Sequence, residues 1–185
     1  MPTTNVSAAK PKVGGSLSVG ATSLTLPTSA DGALATGFTN LGYIAEDGVT
    51  NSASPNTSEV KAWGGDTVLV LYDNKSDTFK FKLIESLDPN VKKVAFGDAN
   101  VSGNLSTGIT VSVNNKEMDT KAYVFDMVLR NGALHRIVVP AAQVSALGDI
   151  VYVDNDVVAY EVTLSAQADS SGNTHYEYTK AAGNG

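Results

Sequence analysis

The feature that most constrains the fold is a repeated alternation of large apolar residues with other residues in several short segments. It occurs over Phe79–Leu83 and again over Ala122–Leu129 and Asp156–Ser165. Successive side chains of a β-strand point to opposite faces of a sheet, so this period indicates half-buried strands. Asn131-Gly132, which follows the second segment, is the strongest short signal for a β-hairpin. The sequence therefore predicts a mainly β protein with roughly eight strands.

One segment has helical spacing instead. Asp88 suits a helix N-cap, Pro89 suits the first turn, and Gly97 stands where a helix would stop. The apolar stripe expected between them consists of Leu87, Val91, Val94 and Ala95. We predict one short helix at about residues 88–96, packed on the sheet because a helix of this length is not stable alone.

Turn-forming residues divide the region before that helix. Asn51–Ser58 and Asp73–Ser76 are rich in Asn, Ser, Asp and Pro, so both segments are predicted to be turns. Thr67–Tyr72 is almost continuously apolar, which favours a strand covered on both faces. It should form a hairpin with Asp77–Glu85, and Glu59–Trp63 should be a separate strand.

These elements predict one domain over residues 1–165, built as a β-sandwich or partly closed barrel with one flanking α-helix. Residues 1–40 would form an extended N-terminal arm and loop, and residues 41–165 the sandwich itself. Residues 166–185 are polar, and we expect a flexible C-terminal tail there.

The composition argues against most kinds of catalytic or metal-binding site. The 185 residues include no cysteine and two histidines, which excludes disulfides and thiolate catalysis and disfavours a zinc site. His135 is expected to be a sheet residue, and His175 to be exposed in the tail. The carboxylates Glu46, Asp47 and Asp66 would suit a cation or acid–base work, but acidic residues are common at strand ends. We predict no catalytic residue, no cofactor and no metal.

Charge and hydropathy narrow the possible partners. The net charge is -6 with no basic stripe, so stable binding to a nucleic acid backbone is not expected. No apolar run approaches the roughly 20 residues that span a bilayer, and the first residues lack the apolar core of a signal peptide. We expect no membrane anchor and assembly in the cytoplasm.

Three blocks carry a family resemblance. They are Phe38–Thr50, Val60–Val68 and Phe79–Leu87, the last running into the predicted helix and Phe96-Gly97. In this order and spacing they resemble the major tail proteins, or tail tube proteins, of siphophages, particularly those that infect Gram-positive hosts. The resemblance implies a virion protein made in the host cytoplasm. It also implies hexameric rings that stack into a hollow tube, with a tape-measure protein inside and tail-tip and tail-terminator proteins at the ends. DNA would pass through the tube transiently.

The resemblance also suggests where subunits meet. The residues we expect at an interface are Tyr43, Glu46, Asp47, Trp63 and Asp66. Trp63-Gly64-Gly65-Asp66 should form a tight corner near that interface, and Trp63→Ala should lose assembly or solubility. The wider contact regions would be Val13–Leu26 and Thr39–Pro55. Six copies at -6 each give -36 per ring, so the lumen is predicted to be acidic, and a lumen lined mostly by Lys and Arg would refute this.

Three other functions fit parts of the pattern. A β-sandwich binding module for a receptor or a carbohydrate would need aromatic residues grouped on one exposed face. The inner-tube protein of a contractile injection system would share the ring and the fold. An enzyme ranks last because no reactive group is placed by the sequence.

Overall fold

The structure is a computed structural model that describes residues 5–181. Nine strands form one antiparallel sheet in the order β3-β2-β8-β9-β10-β5-β4, with β1 beside β8 and β11 beside β9, while β6 and β7 form a separate hairpin. The elements are β1 (Ala9–Pro11), β2 (Leu17–Ala21), β3 (Thr39–Asn40), β4 (Ile44–Lys61), β5 (Thr67–Leu83), α1 (Pro89–Phe96), a short 3-10 turn (Asp98–Asn100), β6 (Val101–Asn104), β7 (Gly108–Val111), β8 (Lys121–Leu129), β9 (Leu134–Leu147), β10 (Tyr160–Ala166) and β11 (Tyr176–Lys180).

The large sheet is rolled rather than flat. Strands β5 and β8 are separated by β10 and β9, which in a flat sheet would hold them about 14 Å apart. Phe79 of β5 nevertheless stacks on Phe125 of β8 with ring centroids 5.6 Å apart, and Phe81 meets the same ring edge-on. The sheet therefore closes around one apolar core as a partly closed barrel, and the predicted mainly β fold with one helix is confirmed.

The helix forms as its caps predict. The Asp88 carboxylate accepts a hydrogen bond from the Asn90 N–H at 2.8 Å, and Gly97 ends the helix at φ 94°. Val91, Val94 and Ala95 are buried in the core. Leu87 is 63% exposed, so its assignment to the stripe was wrong. It precedes the N-cap and therefore does not follow the helical spacing.

The Asn-Gly hairpin between β8 and β9 is also confirmed. The Leu129 N–H donates to the Ala133 carbonyl at 2.8 Å, and Gly132 has φ 84°. The Asn131 side chain accepts a hydrogen bond from the Ala133 N–H. Local turn chemistry is sufficient to predict this connection.

The long loop at residues 22–38 is tied to the barrel by one buried side chain. Arg136 of β9 donates from Nε to Asp126 Oδ1 at 2.6 Å and from Nη2 to Oδ2 at 3.2 Å. Its Nη1 reaches the carbonyls of Ser29 at 2.9 Å and Gly32 at 2.7 Å. The loop thus packs on its own chain through a guanidinium that is 1% exposed.

Two of the predicted turns are wrong. β4 runs without a break through 51–58, and β5 runs through 73–76, so both strands are far longer than predicted. The turn lies at residues 62–66, where Gly64 and Gly65 have φ 116° and 100°. Cross-strand pairing from Ser52↔Thr78 to Asn56↔Asn74 satisfies the backbone and overrides the turn propensity. Pro55 is tolerated because β4 is an edge strand.

The C-terminal segment is part of the sheet, which contradicts the flexible tail expected at residues 166–185. β11 pairs with β9 from Tyr176↔Val138 to Lys180↔Leu134. β10 covers β9 only at its other end, opposite Ala142–Leu147, so β11 fills an edge that would otherwise be unpaired. Residues 1–4 of the predicted arm and 182–185 of the predicted tail lie outside the described residues.

Candidate assembly surface

A long hairpin arm leaves the barrel. We define it as residues 52–76, the parts of β4 and β5 beyond the last body pair, Thr78↔Ser165. Every residue of the arm is exposed, and among residues 5–181 β4 pairs only with β5. At strand geometry the arm is roughly 35 Å long. Both of its edges present unpaired backbone groups, which is the arrangement that favours pairing with another chain.

Both faces of the arm carry apolar side chains. A consecutive run is exposed by 44–64%, namely Val68, Leu69, Val70, Leu71 and Tyr72. Leu69 lies opposite Val60 on one face, and Val70 lies opposite Glu59 on the other. The prediction that Thr67–Tyr72 is covered on both faces is therefore not met by the described part of this chain. A two-stranded ribbon of this composition is marginal in water, and exposed apolar patches of this kind are typical of interaction sites.

The total surface supports the same conclusion. The accessible surface is 11433 Å² for a chain of 19.2 kDa. A compact monomer of that mass exposes about 8,400 Å², so this chain exposes roughly 3,000 Å² more. Obligate subunit interfaces bury about 2,000–5,000 Å². The excess is therefore comparable in size to the surface that obligate subunits bury.

The predicted interface residues are all exposed but fall into two groups. Trp63 and Asp66 lie at the tip of the arm, where the Ala62 N–H donates to the Asp66 carbonyl at 2.8 Å and closes a tight corner. Tyr43, Glu46 and Asp47 lie at the other end of the hairpin, beside the barrel. About 50 Å of strand separates the groups, so one chain does not bring them together.

A cleft opens beside the second group. We call it the β1–β4 cleft, because it lies between β1 and the start of β4, and its volume is about 330 Å³. Its lining includes the apolar residues Ile44, Val49, Phe125 and Met127 and the charged residues Lys10, Glu46 and Asp47. Ser16 lines the cleft just before β2, whose Leu17 and Val19 belong to the core. Much of the predicted contact region Val13–Leu26 is therefore covered by its own chain.

A buried carboxylate fixes the root of the arm. Asp77 Oδ2 accepts from Thr174 Oγ1 at 2.5 Å and lies 2.6 Å from His175 Nδ1, while Oδ1 accepts from Asn51 Nδ2 at 2.7 Å. The His175 ring also meets Phe79 edge-on. His175 is thus largely buried, and its predicted exposure was wrong. No local pattern marks this contact, because the partners are 97 and 98 residues apart.

The Asp77 cluster makes stability depend on pH. Burial raises the pKa of Asp77, but hydrogen bonds from Thr174, Asn51 and His175 outweigh burial and hold this pKa below the usual 3.8. The stabilisation is therefore fully present above the unfolded pKa and is lost as pH falls through the lowered folded pKa. Asp77→Asn removes it and should cost about 1.5–3 kcal/mol at neutral pH.

This prediction is checked by thermal unfolding across pH, followed by circular dichroism. The difference in Tm between the wild type and Asp77→Asn should be wide at neutral pH and should narrow steadily as the pH falls below about 4. Asp154→Asn, at an exposed site, is the control and should leave the pH curve unchanged. A difference in Tm that stays constant down to about pH 2 would contradict the role given to Asp77.

Within residues 5–181 no group of three or more His, Asp or Glu is placed to hold a metal ion. Over the same range no helix is long and apolar enough to span a bilayer.

A family model described as "Phage tail tube protein" matches residues 6–182. The chain belongs to the phage tail tube protein family. This tail tube protein is accordingly a structural component of the virion tail and not an enzyme, which confirms both predictions. Members of the family assemble with other tail components, and this gives the exposed arm a biological context.

Comparison with curated proteins gives no match. Among solved structures, the anti-feeding prophage cap (AFP tube terminating cap) is 9% identical, with 97% of this chain and 98% of that chain covered and a TM-score of 0.46. The PVC sheath/tube terminator of an extracellular contractile injection system, in the extended state, is 13% identical, with 91% and 96% covered and a TM-score of 0.37. At these values neither structure bears on how this tail tube protein assembles.

Proposed function

We propose that this protein forms hexameric rings that stack into the hollow tail tube of a siphophage, of the type that infects Gram-positive hosts. DNA passes through the tube during ejection. A tape-measure protein occupies the tube during assembly, and tail-tip and tail-terminator proteins close its ends. The observation that carries the proposal is the exposed hairpin arm, which has two open edges and apolar side chains on both faces.

The arm fits a ring of identical subunits for a physical reason. It continues the antiparallel sheet of the barrel, so neighbouring copies can extend that sheet by pairing at its open edges. A closed ring leaves no edge unpaired, which removes the risk of uncontrolled aggregation. Pairing at the edges leaves the faces of each arm available for contacts along the tube.

The aromatic residues argue against the binding-module alternative. Such a module stacks its ligand on exposed rings grouped on one face. Here Phe79, Phe81, Tyr123 and Phe125 are buried in the core. Trp63 stands alone at the tip of the arm, which suits an anchor between proteins better than a platform for a sugar.

Electron microscopy combined with analytical ultracentrifugation tests the proposal. Six-fold rings or hollow tubes whose fraction rises with protein concentration are the expected result, because each added subunit buries arm surface. Sedimentation as a monomer or a closed dimer at every concentration, with neither rings nor tubes in the images, would count against it.

A further inference from the structure

We infer that Trp63 at the tip of the hairpin arm of one copy inserts into the β1–β4 cleft of a second copy. The inference rests on the proposed function, since it names the surface that receives the arm. It joins two features of the chain: an exposed tryptophan and a cleft lined largely by apolar residues.

Trp63 is presented as a projecting anchor. It is the only tryptophan in the chain and is fully exposed, with a relative accessibility of 107%. Gly64 and Gly65 follow it with positive φ, and no described atom lies within 4 Å of the position that a Cβ would take at either glycine. The turn therefore projects Trp63 away from the rest of the described chain. Exposed tryptophan is costly, and tryptophan is enriched among the residues that dominate protein interfaces.

The β1–β4 cleft has the size and the chemistry to receive an indole. An apolar cavity of about 150 Å³ already binds benzene, and this cleft is about 330 Å³. Its lining includes the aliphatic residues Ile44 and Val49 and the partly buried Met127. Methionine adapts its shape to a partner and makes favourable contacts between sulfur and aromatic rings.

The charges around the two features are complementary. Lys61 and Asp66 flank Trp63, while Lys10 and the pair Glu46–Asp47 line the cleft. One orientation of the docked arm places Lys61 next to Glu46 and Asp47, and Asp66 next to Lys10. This orientation pairs opposite charges at both ends of the contact. The indole N–H has a carboxylate acceptor at the rim.

The two features also explain how growth continues. They lie on different surfaces of one chain, so the contact between copies is head-to-tail, with each copy offering a free tip or a free cleft to the next. Such a contact propagates instead of closing on itself as a dimer. It also accounts for the division of the interface residues into two groups, Trp63 with Asp66 and Tyr43 with Glu46 and Asp47.

Fluorescence follows the first step directly, because Trp63 is the only tryptophan. Emission of the unassembled protein should be that of a hydrated indole and readily quenched by acrylamide. In assembled protein the emission should shift to the blue and quenching should fall several-fold. Assembled protein in which Trp63 stays fully quenchable would overturn the inference.

Cross-linking identifies the receiving surface. Because the chain contains no cysteine, the introduced cysteines are the only thiols that can react. Protein carrying Ala62→Cys is mixed with protein carrying Asp47→Cys, and the mixture is then oxidised. The second protein also carries a tag that lengthens its chain, so a mixed dimer differs in size from either dimer of like chains. A mixed disulfide dimer is expected. Its yield should fall to background when the first copy also carries Trp63→Ala. The matched control replaces Asp47→Cys by Asn115→Cys, which lies on an exposed loop after β7, outside the cleft.

Microscopy of the same samples separates the two proposals. Tubes without the mixed disulfide would leave the tube proposal standing and refute the docking of Trp63. The disulfide and the blue shift without rings or tubes would leave the docking standing and refute the tube. A disulfide yield equal to that of the Asn115→Cys control overturns the inference in either case.

Discussion

Replacing residues 55–75 by Asn-Gly should give a folded protein that forms no rings or tubes. Ser54 pairs directly with Ser76, so a two-residue turn can join the strands there without a change of register. The removed residues are all exposed, and Asp77 with its partners is retained. Stability should therefore change by no more than about 1 kcal/mol. Thermal unfolding checks the fold, and sedimentation velocity with electron microscopy checks assembly.

A second variant separates the edges of the arm from its faces. Leu69→Ser with Leu71→Ser keeps the backbone edges and removes two apolar side chains from one face. Each leucine is about half exposed, so the burial lost is worth roughly 1 kcal/mol per residue. The concentration needed for assembly should rise about 30-fold. A truncated arm that still supports rings or tubes would show that assembly uses another surface.

The sequence predicted the elements whose signals are local. The caps at Asp88 and Gly97 and the Asn131-Gly132 turn act within a few residues, and each lies where the sequence placed it. The arm was missed because Asn51–Ser58 and Asp73–Ser76 have the composition of turns. In the structure the two segments lie on opposite strands of the hairpin and pair with each other. The cross-strand hydrogen bonds along this register outweigh the weak turn propensity of each segment.

Contacts between distant parts of the chain could not be predicted from the sequence, for a different reason. His175 meets Asp77 across 98 residues, and Arg136 reaches Gly32 across 104. Periodicity shows which face of a strand is buried but not which polar groups meet inside. The tight corner at Trp63 was more predictable, because a tryptophan followed by two glycines is visible in the sequence, while its place at an interface stays a prediction. Its proposed receiving surface required the folded barrel.

Arg136→Met should destabilise the fold by about 3–5 kcal/mol. The Arg136 side chain is 1% exposed, and the substitution leaves the Asp126 carboxylate without its counter-charge. The carbonyls of Ser29 and Gly32 also lose their hydrogen-bond donor. Arg136→Lys should recover only part of this, because an ammonium cannot reproduce a planar fork that serves four acceptors at once. Urea unfolding measures both changes, and a loss under about 1 kcal/mol for the methionine variant would contradict the role given to this side chain.

The double variant Asp126→Leu with Arg136→Met distinguishes the ion pair from the loop anchor. An apolar pair in place of a buried ion pair is often neutral, so the cost of the isolated carboxylate should disappear. The loop carbonyls of Ser29 and Gly32 remain unpaired in the double variant, so recovery should be incomplete by roughly 1–3 kcal/mol. That remainder measures what Arg136 contributes to holding the loop at residues 22–38. Full recovery in the double variant would mean that the loop is held by other contacts and that Arg136 serves Asp126 alone.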